Sequence, residues 1–410
     1  MTAPNLLFLA IDSLRADAIL GDHIPTPNID ALARSGASFL QCVSTSTTTT
    51  PSFSSILTGC YPPKHGVRGL QGYSLSPALE TMAETFDRGG YHTHAEVTGP
   101  LLPETGILRG FKDARHRQAY RVPFFNWREP TLERLASLES PWFMLLHIWE
   151  VHRPYRSPPD FKKRYDKGGY EAAVAATDGW LEPLFDALPA DTIVAVTGDH
   201  GEEYPGSRLE RGINRAVRET RRRLRVSHWA PGLDKRMGRD ALGHGFGLNE
   251  PQVRVPLVIS RTGIEARTVP EQVRHVDLLP TFADLCGIEP PEGIDGRSLV
   301  PAMRGDPLPE EPAYMEAVGV KLGGEHIVGA RTPAWKLLKP SSGGASLYRL
   351  DGLTGPDEKH NVLSANPGPA GELESFIEQV AASEVAATTS GMTDAEEAVV
   401  EQHLRDLGYL

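Results

Sequence analysis

Two groups of residues in this 410-residue chain have the types and spacing to do chemistry. The first is Asp199-His200 within Gly198-Asp199-His200-Gly201-Glu202, which follows the apolar run 193–196. A carboxylate beside an imidazole suits a hard or borderline divalent cation, provided distant segments bring further donors of the same kind. Asp12, directly after the apolar run 6–11, is a second candidate donor, and residues 147–152 follow a third run at 142–146. A lone aspartate after a strand is ordinarily a turn or cap residue, so the pattern across three segments carries the reading. The second group is the hydroxyl-rich run Ser44-Thr45-Ser46-Thr47-Thr48-Thr49-Thr50-Pro51-Ser52-Phe53. It reads either as a solvated loop with Ser/Thr caps or as the source of a metal-activated nucleophile, set where helix N-terminal amides hold an anion.

These residues need elements that bring separated segments to one rim. Apolar runs at 6–11, 142–148, 192–197 and 255–259 alternate with helical stretches such as 170–188. Thr26-Pro27-Asn28 supplies a cap with proline at the first helical position, and Ile29, Leu32 and Ala33 follow at helical spacing. Buried strands separated by helices predict an α/β fold with a large mixed, mostly parallel sheet sandwiched by helices. Function in such sheets collects beyond the carboxyl ends of the strands. After about Pro270 a helical pattern over 276–285 gives way to short alternating runs at 325–330 and 335–339, which predicts a smaller C-terminal antiparallel sheet. The expected division is a catalytic domain at 1–270 with an insertion at 203–242, a smaller α+β subdomain at 271–380, and a linker with a closing helix at 381–410.

A formal net charge of −11, from 42 Lys and Arg against 53 Asp and Glu, argues against a protein that wraps nucleic acid over its whole surface. With 40% hydrophobic residues, collagen, coiled coil and long disorder are excluded. Cys42, Cys60 and Cys286 are too few and too scattered for a disulfide framework, which fits a reducing compartment. No apolar run approaches the roughly 20 residues of a bilayer span, so the expectation is a cytoplasmic protein without membrane contact.

Further stretches extend the pattern: Ile11-Asp12-Ser13-Leu14-Arg15-Ala16-Asp17, Thr49-Thr50-Pro51-Ser52, Leu57-Thr58-Gly59-Cys60-Tyr61-Pro62-Pro63-Lys64-His65-Gly66, His152-Arg153-Pro154-Tyr155, Gly243-His244-Gly245 and Gly296-Arg297-Ser298-Leu299. With these the chain resembles the sulfatase branch of the alkaline phosphatase superfamily from its first strand to its end. The resemblance implies an alkaline phosphatase-like fold, a divalent metal (Zn, Mn or Ca) on Asp12, Thr49, Asp199 and His200, and a nucleophile at Thr49, two residues before Pro51. It also places His152 and His244 against the transferred group, or as ligands of a second metal together with Glu150.

The departures from the family pattern carry equal information. Formylglycine forms from Cys or Ser, and Thr49 undergoes no such conversion. Phe53 stands where the family has Arg, Thr98-Gly99-Pro100-Leu101 stands in place of a Lys-x-His element, and Ser13 replaces a second acid after Asp12. Threonine nucleophiles belong to the phosphodiesterase, phosphonate and phosphotransferase branches. The resemblance therefore implies a metal-dependent hydrolase of phosphate or phosphonate esters working through a covalent threonine intermediate, with His244 or His152 protonating the leaving group. A sulfate ester hydrolase without formylglycine, a phosphotransferase and a non-hydrolytic binding protein on the same fold remain the alternatives.

Between His200 and His244, Arg208, Arg211, Arg215, Arg218, Arg221, Arg222, Arg223, Arg225, Arg236 and Arg239 surround an apolar stripe of Leu209, Ile213, Val217 and Leu224. This basic helix reads either as a surface packed on the body or on a second copy in a homo-oligomer, or as a lid that gathers an anionic ester substrate. It could contact a polyanion, although no nucleic-acid partner is expected.

Overall fold

The first strand, β1 (Leu6–Ile11), is apolar at every position because both of its faces are covered. Its alternate side chains divide between two cores: Leu6, Phe8 and Ala10 enter one, and Leu7, Leu9 and Ile11 enter the other. The structure is a computed structural model that describes residues 3–19, 21, 23–118, 122–165, 169–203, 244–318, 326–350, 358–384 and 393–407. The arginines expected to form the insertion helix, Arg208 to Arg239, lie outside these residues, as does most of the expected linker.

The remaining strands of the large sheet are β2 (Ala37–Val43), β3 (His92–Thr98), β4 (Asp113–Arg117), β5 (Trp142–Ile148), β6 (Ile193–Gly198), β7 (Arg254–Ser260) and β8 (Arg267–Arg274). They lie in the order β4-β3-β5-β1-β6-β7-β2-β8. The first five are mutually parallel, and only β7 runs against its neighbours β6 and β2. Helices Thr49–Thr58, Met82–Arg88 and Leu278–Cys286 cover one face through Phe53, Phe86 and Phe282. Helices Phe124–Ala136 and Tyr170–Asp186 cover the other through Phe124, Leu181 and Leu184. This is the helix-sheet-helix sandwich that the alternating pattern predicts.

Thr26 does start a helix, Pro27–Ser35, but it makes no side-chain cap bond there. Asp178, from helix Tyr170–Asp186, supplies the cap instead, accepting from the amides of Asn28 (3.2 Å) and Ile29 (2.9 Å). Two of the first-turn donors of this helix are thus satisfied by a neighbouring helix, which ties the two helices together.

The smaller sheet contains β9 (Ala313–Ala317), β10 (Ile327–Arg331), β11 (Trp335–Pro340) and β12 (Ser346–Arg349), all antiparallel, backed by helix Pro367–Ala381. The expected boundary at 270 falls inside β8. That strand pairs with β2 along its length, and Leu278–Cys286 packs into the core of the large sheet, so the smaller unit begins nearer β9. The sequence break misleads because β8 is an edge strand whose early residues are exposed, which weakens its apolar pattern.

Glu250, Arg331 and Lys336 meet between the two sheets. The guanidinium of Arg331 and the ammonium of Lys336 lie 2.9 and 3.0 Å from the Glu250 carboxylate, and Arg331 also reaches Gln272 and Gln41. The last helix, Asp394–Leu407, docks Val400 and Leu404 on Leu70 and Leu102. Its His403 and His116 of β4 both direct Nε2 at the Gly99 carbonyl, at 2.8 and 3.0 Å. Among the described residues no helix is long and apolar enough to cross a membrane.

Candidate active site

Strand register gathers the site. Ala10 of β1 lies opposite both His147 of β5 and Thr197 of β6, and Ile11 lies opposite Gly198. Because side chains alternate, Asp12 continues the face of Phe8 and Ala10, His147 continues that of Phe143 and Leu145, and Asp199 continues that of Ile193 and Ala195. All three therefore point to the face covered by helix Thr49–Thr58. Ligand atoms of Asp12, His147 and Asp199 lie within 4.8 Å of one another, and all three residues are buried.

The backbone beyond the strands tightens this arrangement. Ser13 adopts a left-handed conformation, φ 62°, that no glycine relieves. Its amide donates to Asp199 Oδ1 at 3.0 Å, its hydroxyl donates to Asp12 Oδ1 at 2.9 Å, and Tyr170 donates to its carbonyl. Gly201 passes so close to the chain that a Cβ would stand 2.0 Å from the Pro251 carbonyl oxygen. Ser44 and Ser52 donate to the Asp199 carbonyl at 2.7 and 2.5 Å, tying the hydroxyl-rich run to the end of β6.

Thr49 opens its helix, buried, with Oγ1 3.5 Å from both Asp12 Oδ2 and His200 Nε2. His200 Nε2 lies 3.5 Å from Asp199 Oδ2 and 3.8 Å from Asp12 Oδ1, while its Nδ1 is held by the Gly201 carbonyl at 2.9 Å. Asp12, Thr49, Asp199 and His200 thus lie together at the ends of β1 and β6. His244 lies tilted against His200, with ring centroids 4.3 Å apart, and meets His152 edge-on at 4.8 Å. His152 in turn stacks on Trp149.

Glu150 is not brought to His152 and His244. Arg117 of β4 binds both of its carboxylate oxygens, at 2.7 and 3.1 Å, and the amides of Phe124 and Trp149 donate to it as well. A buried carboxylate needs a charge partner, and Arg117 is that partner. The acid beside His244 is Glu202, fully buried, with Oε2 3.5 Å from His244 Nδ1 and 3.6 Å from Arg153 Nε. Glu202 was visible in the sequence as the last member of the Gly198–Glu202 motif, but nothing there connected it to His244.

His147 is the other residue given no role by the sequence reading. Its Nδ1 meets the Thr98 carbonyl at 3.1 Å, and Phe53 packs edge-on against its ring at 5.0 Å. The positions where the family pattern has cationic side chains are thus occupied by Phe53 and by Thr98, which holds His147 through its backbone. Period-two counting from Phe143 gave the only signal that His147 shares a face with Asp12 and Asp199.

The centre is acidic and buried. Burial, and then the neighbouring Asp199, push the Asp12 carboxyl well above the usual range. Burial also lowers His147 and His275 to about 4 and depresses His152 and His200, so these imidazoles are neutral at pH 7. For Glu202, burial is outweighed by His244 and Arg153, which hold its carboxyl below the ordinary value. Asp199 Oδ2, His147 Nε2, His244 Nδ1 and both Glu202 oxygens are buried with no hydrogen-bond partner among the described residues. The unpartnered Asp199 Oδ2 and His147 Nε2, in one cluster with a carboxylate oxygen of Asp12, match the donor set of a divalent cation.

A sulfatase family model matches residues 4–288. The chain is 24% identical over 354 residues to the uncharacterized sulfatase YidJ of Escherichia coli strain K12, covering 73% of this chain and 71% of that protein. It is also 24% identical over 431 residues to an ulvan-active sulfatase of Formosa agariphila, covering 88% of this chain and 77% of that one. Among solved structures, the phosphonate monoester hydrolase of Agrobacterium radiobacter superposes with a TM-score of 0.70 at 17% identity, covering 93% of this chain and 96% of that one. The chain belongs to the sulfatase family, within the alkaline phosphatase superfamily of ester hydrolases.

Proposed function

We propose that the protein hydrolyses phosphate or phosphonate esters through a covalent intermediate on Thr49. The observation that carries this reading is the position of Thr49 Oγ1, 3.5 Å from both Asp12 and His200 at the start of a buried helix. Asp12, Asp199, His200 and the Thr49 oxygen would hold a divalent metal, which supplies positive charge against the oxygens of the transferred group and lowers the pKa of the Thr49 hydroxyl. First-turn amides of helix Thr49–Thr58, which have no intrahelical acceptor, face the same region and favour an anion. The Thr49 oxygen attacks phosphorus in line, the ester oxygen departs with a proton from His244, and water cleaves the phosphothreonine to restore the hydroxyl. Glu202 sits against His244 Nδ1 and orients its ring for that transfer.

Several features support phosphorus over sulfur as the centre attacked. Threonine cannot give formylglycine, and Phe53 and Thr98 leave this part of the site without the cationic anchors of the sulfatase pattern. A relative in fold carries the name phosphonate monoester hydrolase. Free Cys42, Cys60 and Cys286 accord with a cytoplasmic setting, which we include in the proposal. The test is turnover of p-nitrophenyl phosphate, bis-p-nitrophenyl phosphate, an aryl phosphonate monoester and p-nitrophenyl sulfate by metal-reconstituted protein. The phosphorus esters should lead, and a phosphorylated peptide containing Thr49 should be trapped with a slow substrate. Dominant sulfate hydrolysis, or a label on another residue, overturns the reading.

A further inference from the structure

We propose that His147 is a metal ligand of this chain, taking over the coordination lost where Ser13 replaces an acid, and that it turns the centre toward a borderline transition ion such as zinc or manganese and away from calcium. The inference rests on the metal centre proposed above. Its first support is the tautomer: the Thr98 carbonyl can only accept, so the proton of His147 sits on Nδ1 and the lone pair is on Nε2. That nitrogen is fully buried, has no hydrogen-bond partner among the described residues, and lies 3.7 Å from Asp12 Oδ2. The ring is clamped from two sides, by the Thr98 carbonyl and by the edge contact with Phe53, so Nε2 is aimed rather than merely nearby.

Ser13 shows why the site needs this donor. The Ser13 hydroxyl donates to Asp12 Oδ1, and its amide donates to Asp199 Oδ1, so residue 13 consumes carboxylate lone pairs where an acid would have added them. His147 restores a donor from the adjacent strand, two residues back along the shared face. With His200 the centre then offers two imidazole nitrogens and two carboxylates. Calcium takes six to eight oxygens, whereas imidazole suits zinc, manganese and similar ions.

The experiment uses full-length protein stripped with chelator and reloaded with single metals. Wild type should bind Zn²⁺ or Mn²⁺ at least about 100-fold more tightly than Ca²⁺, and His147→Ala should weaken Zn²⁺ binding by about tenfold or more. His147→Asp, which adds an oxygen donor, should narrow the preference against Ca²⁺ by about tenfold or more. Pulsed electron paramagnetic resonance on the Mn²⁺-loaded wild type reads the native centre directly and should resolve two coordinated imidazole nitrogens. A single nitrogen, or Zn²⁺ affinity unchanged in His147→Ala, overturns the ligand role, and equal Ca²⁺ and Zn²⁺ affinity in wild type overturns the selectivity. Asp199→Ala separates the two readings: metal retained there means that the centre itself is misplaced, while metal lost there with no effect at His147 refutes this inference alone.

Discussion

Two clusters of buried charge sit on opposite flanks of β7, and they are built on opposite principles. Between the sheets, Glu250 is met by Arg331 and Lys336, and the remaining guanidinium hydrogens go to Gln272 and Gln41. Burial acts to raise the Glu250 carboxyl, yet Lys336 and Arg331 together hold it far below the usual range. At the candidate site, Asp12, Asp199 and Glu202 are equally buried, but Asp12 is raised and Asp199 and Glu202 keep unsatisfied oxygens. Desolvating an unpaired carboxylate is expensive, so a chain retains such a cluster only where something else completes it. A satisfied charge cluster joins parts of the fold, whereas an unsatisfied one marks a binding site.

The comparison is broken most severely at the nucleophile. Thr49→Ala should lower kcat by about 10⁴-fold or more, while Asp12, Asp199 and His200 still retain metal, at reduced affinity, and the melting temperature of the metal-free protein stays at the wild-type value. Steady-state turnover alongside elemental analysis checks this, and wild-type turnover would assign the nucleophile elsewhere. The structural cluster should respond in the reverse sense. Arg331→Ala leaves Glu250 half paired and should cost about 3–5 kcal/mol in urea unfolding. Metal bound per folded molecule should not change, and a variant that loses metal in proportion would show that the clusters are coupled.

A third test concerns imidazoles kept neutral by burial. His65, which accepts from the Val67 amide on Nδ1 and faces Ser55 through Nε2, is lowered to about 3, and His275, against Ser52, to about 4. Both folded-state values lie below the unfolded value of about 6.5. The unfolded chain therefore binds more protons below pH 6.5, and metal-free protein should lose about 1.4 kcal/mol per pH unit for each imidazole as pH falls from 6.5 toward 4. The His65→Gln variant should show a slope shallower by one such increment, and an unchanged slope would remove His65 from the explanation. On metal binding the smallest effect belongs to Glu150→Gln, which should leave metal per folded molecule untouched by elemental analysis because Arg117 already occupies that carboxylate.

The contrast between the clusters also explains what the sequence could show. Long apolar strands such as β1 and β6 are buried on both faces and advertise themselves, so the parallel sheet and the residues just past its strands, Asp12, Asp199 and His200, were readable. The Ser/Thr run was readable as an anomaly, and the resemblance, not the run itself, singled out Thr49. His147 lay inside a stretch already marked, but its role depends on the register of β5 against β1, which no single segment contains. Glu150 misled because its partner Arg117 comes from β4, Asp-Ala-Arg-His-Arg, an edge strand with no apolar signature. Glu250, Arg331 and Lys336 carry no local signal at all, since each is an ordinary charged residue until the two sheets meet.

The double clamp on the Gly99 carbonyl has a consequence for the order in which the molecule is made. His403 lies 304 positions after the carbonyl it holds, whereas His116 lies only 17 away. A chain growing from its amino end therefore fixes the loop beside His147 with one imidazole long before the second exists. The second imidazole reaches that carbonyl only where helix Asp394–Leu407 is packed across Leu70 and Leu102. The Gly99 carbonyl is thus shared between a neighbour in the same sheet and a helix far along the chain, so the loop beside His147 is tied both to the large sheet and to helix Asp394–Leu407.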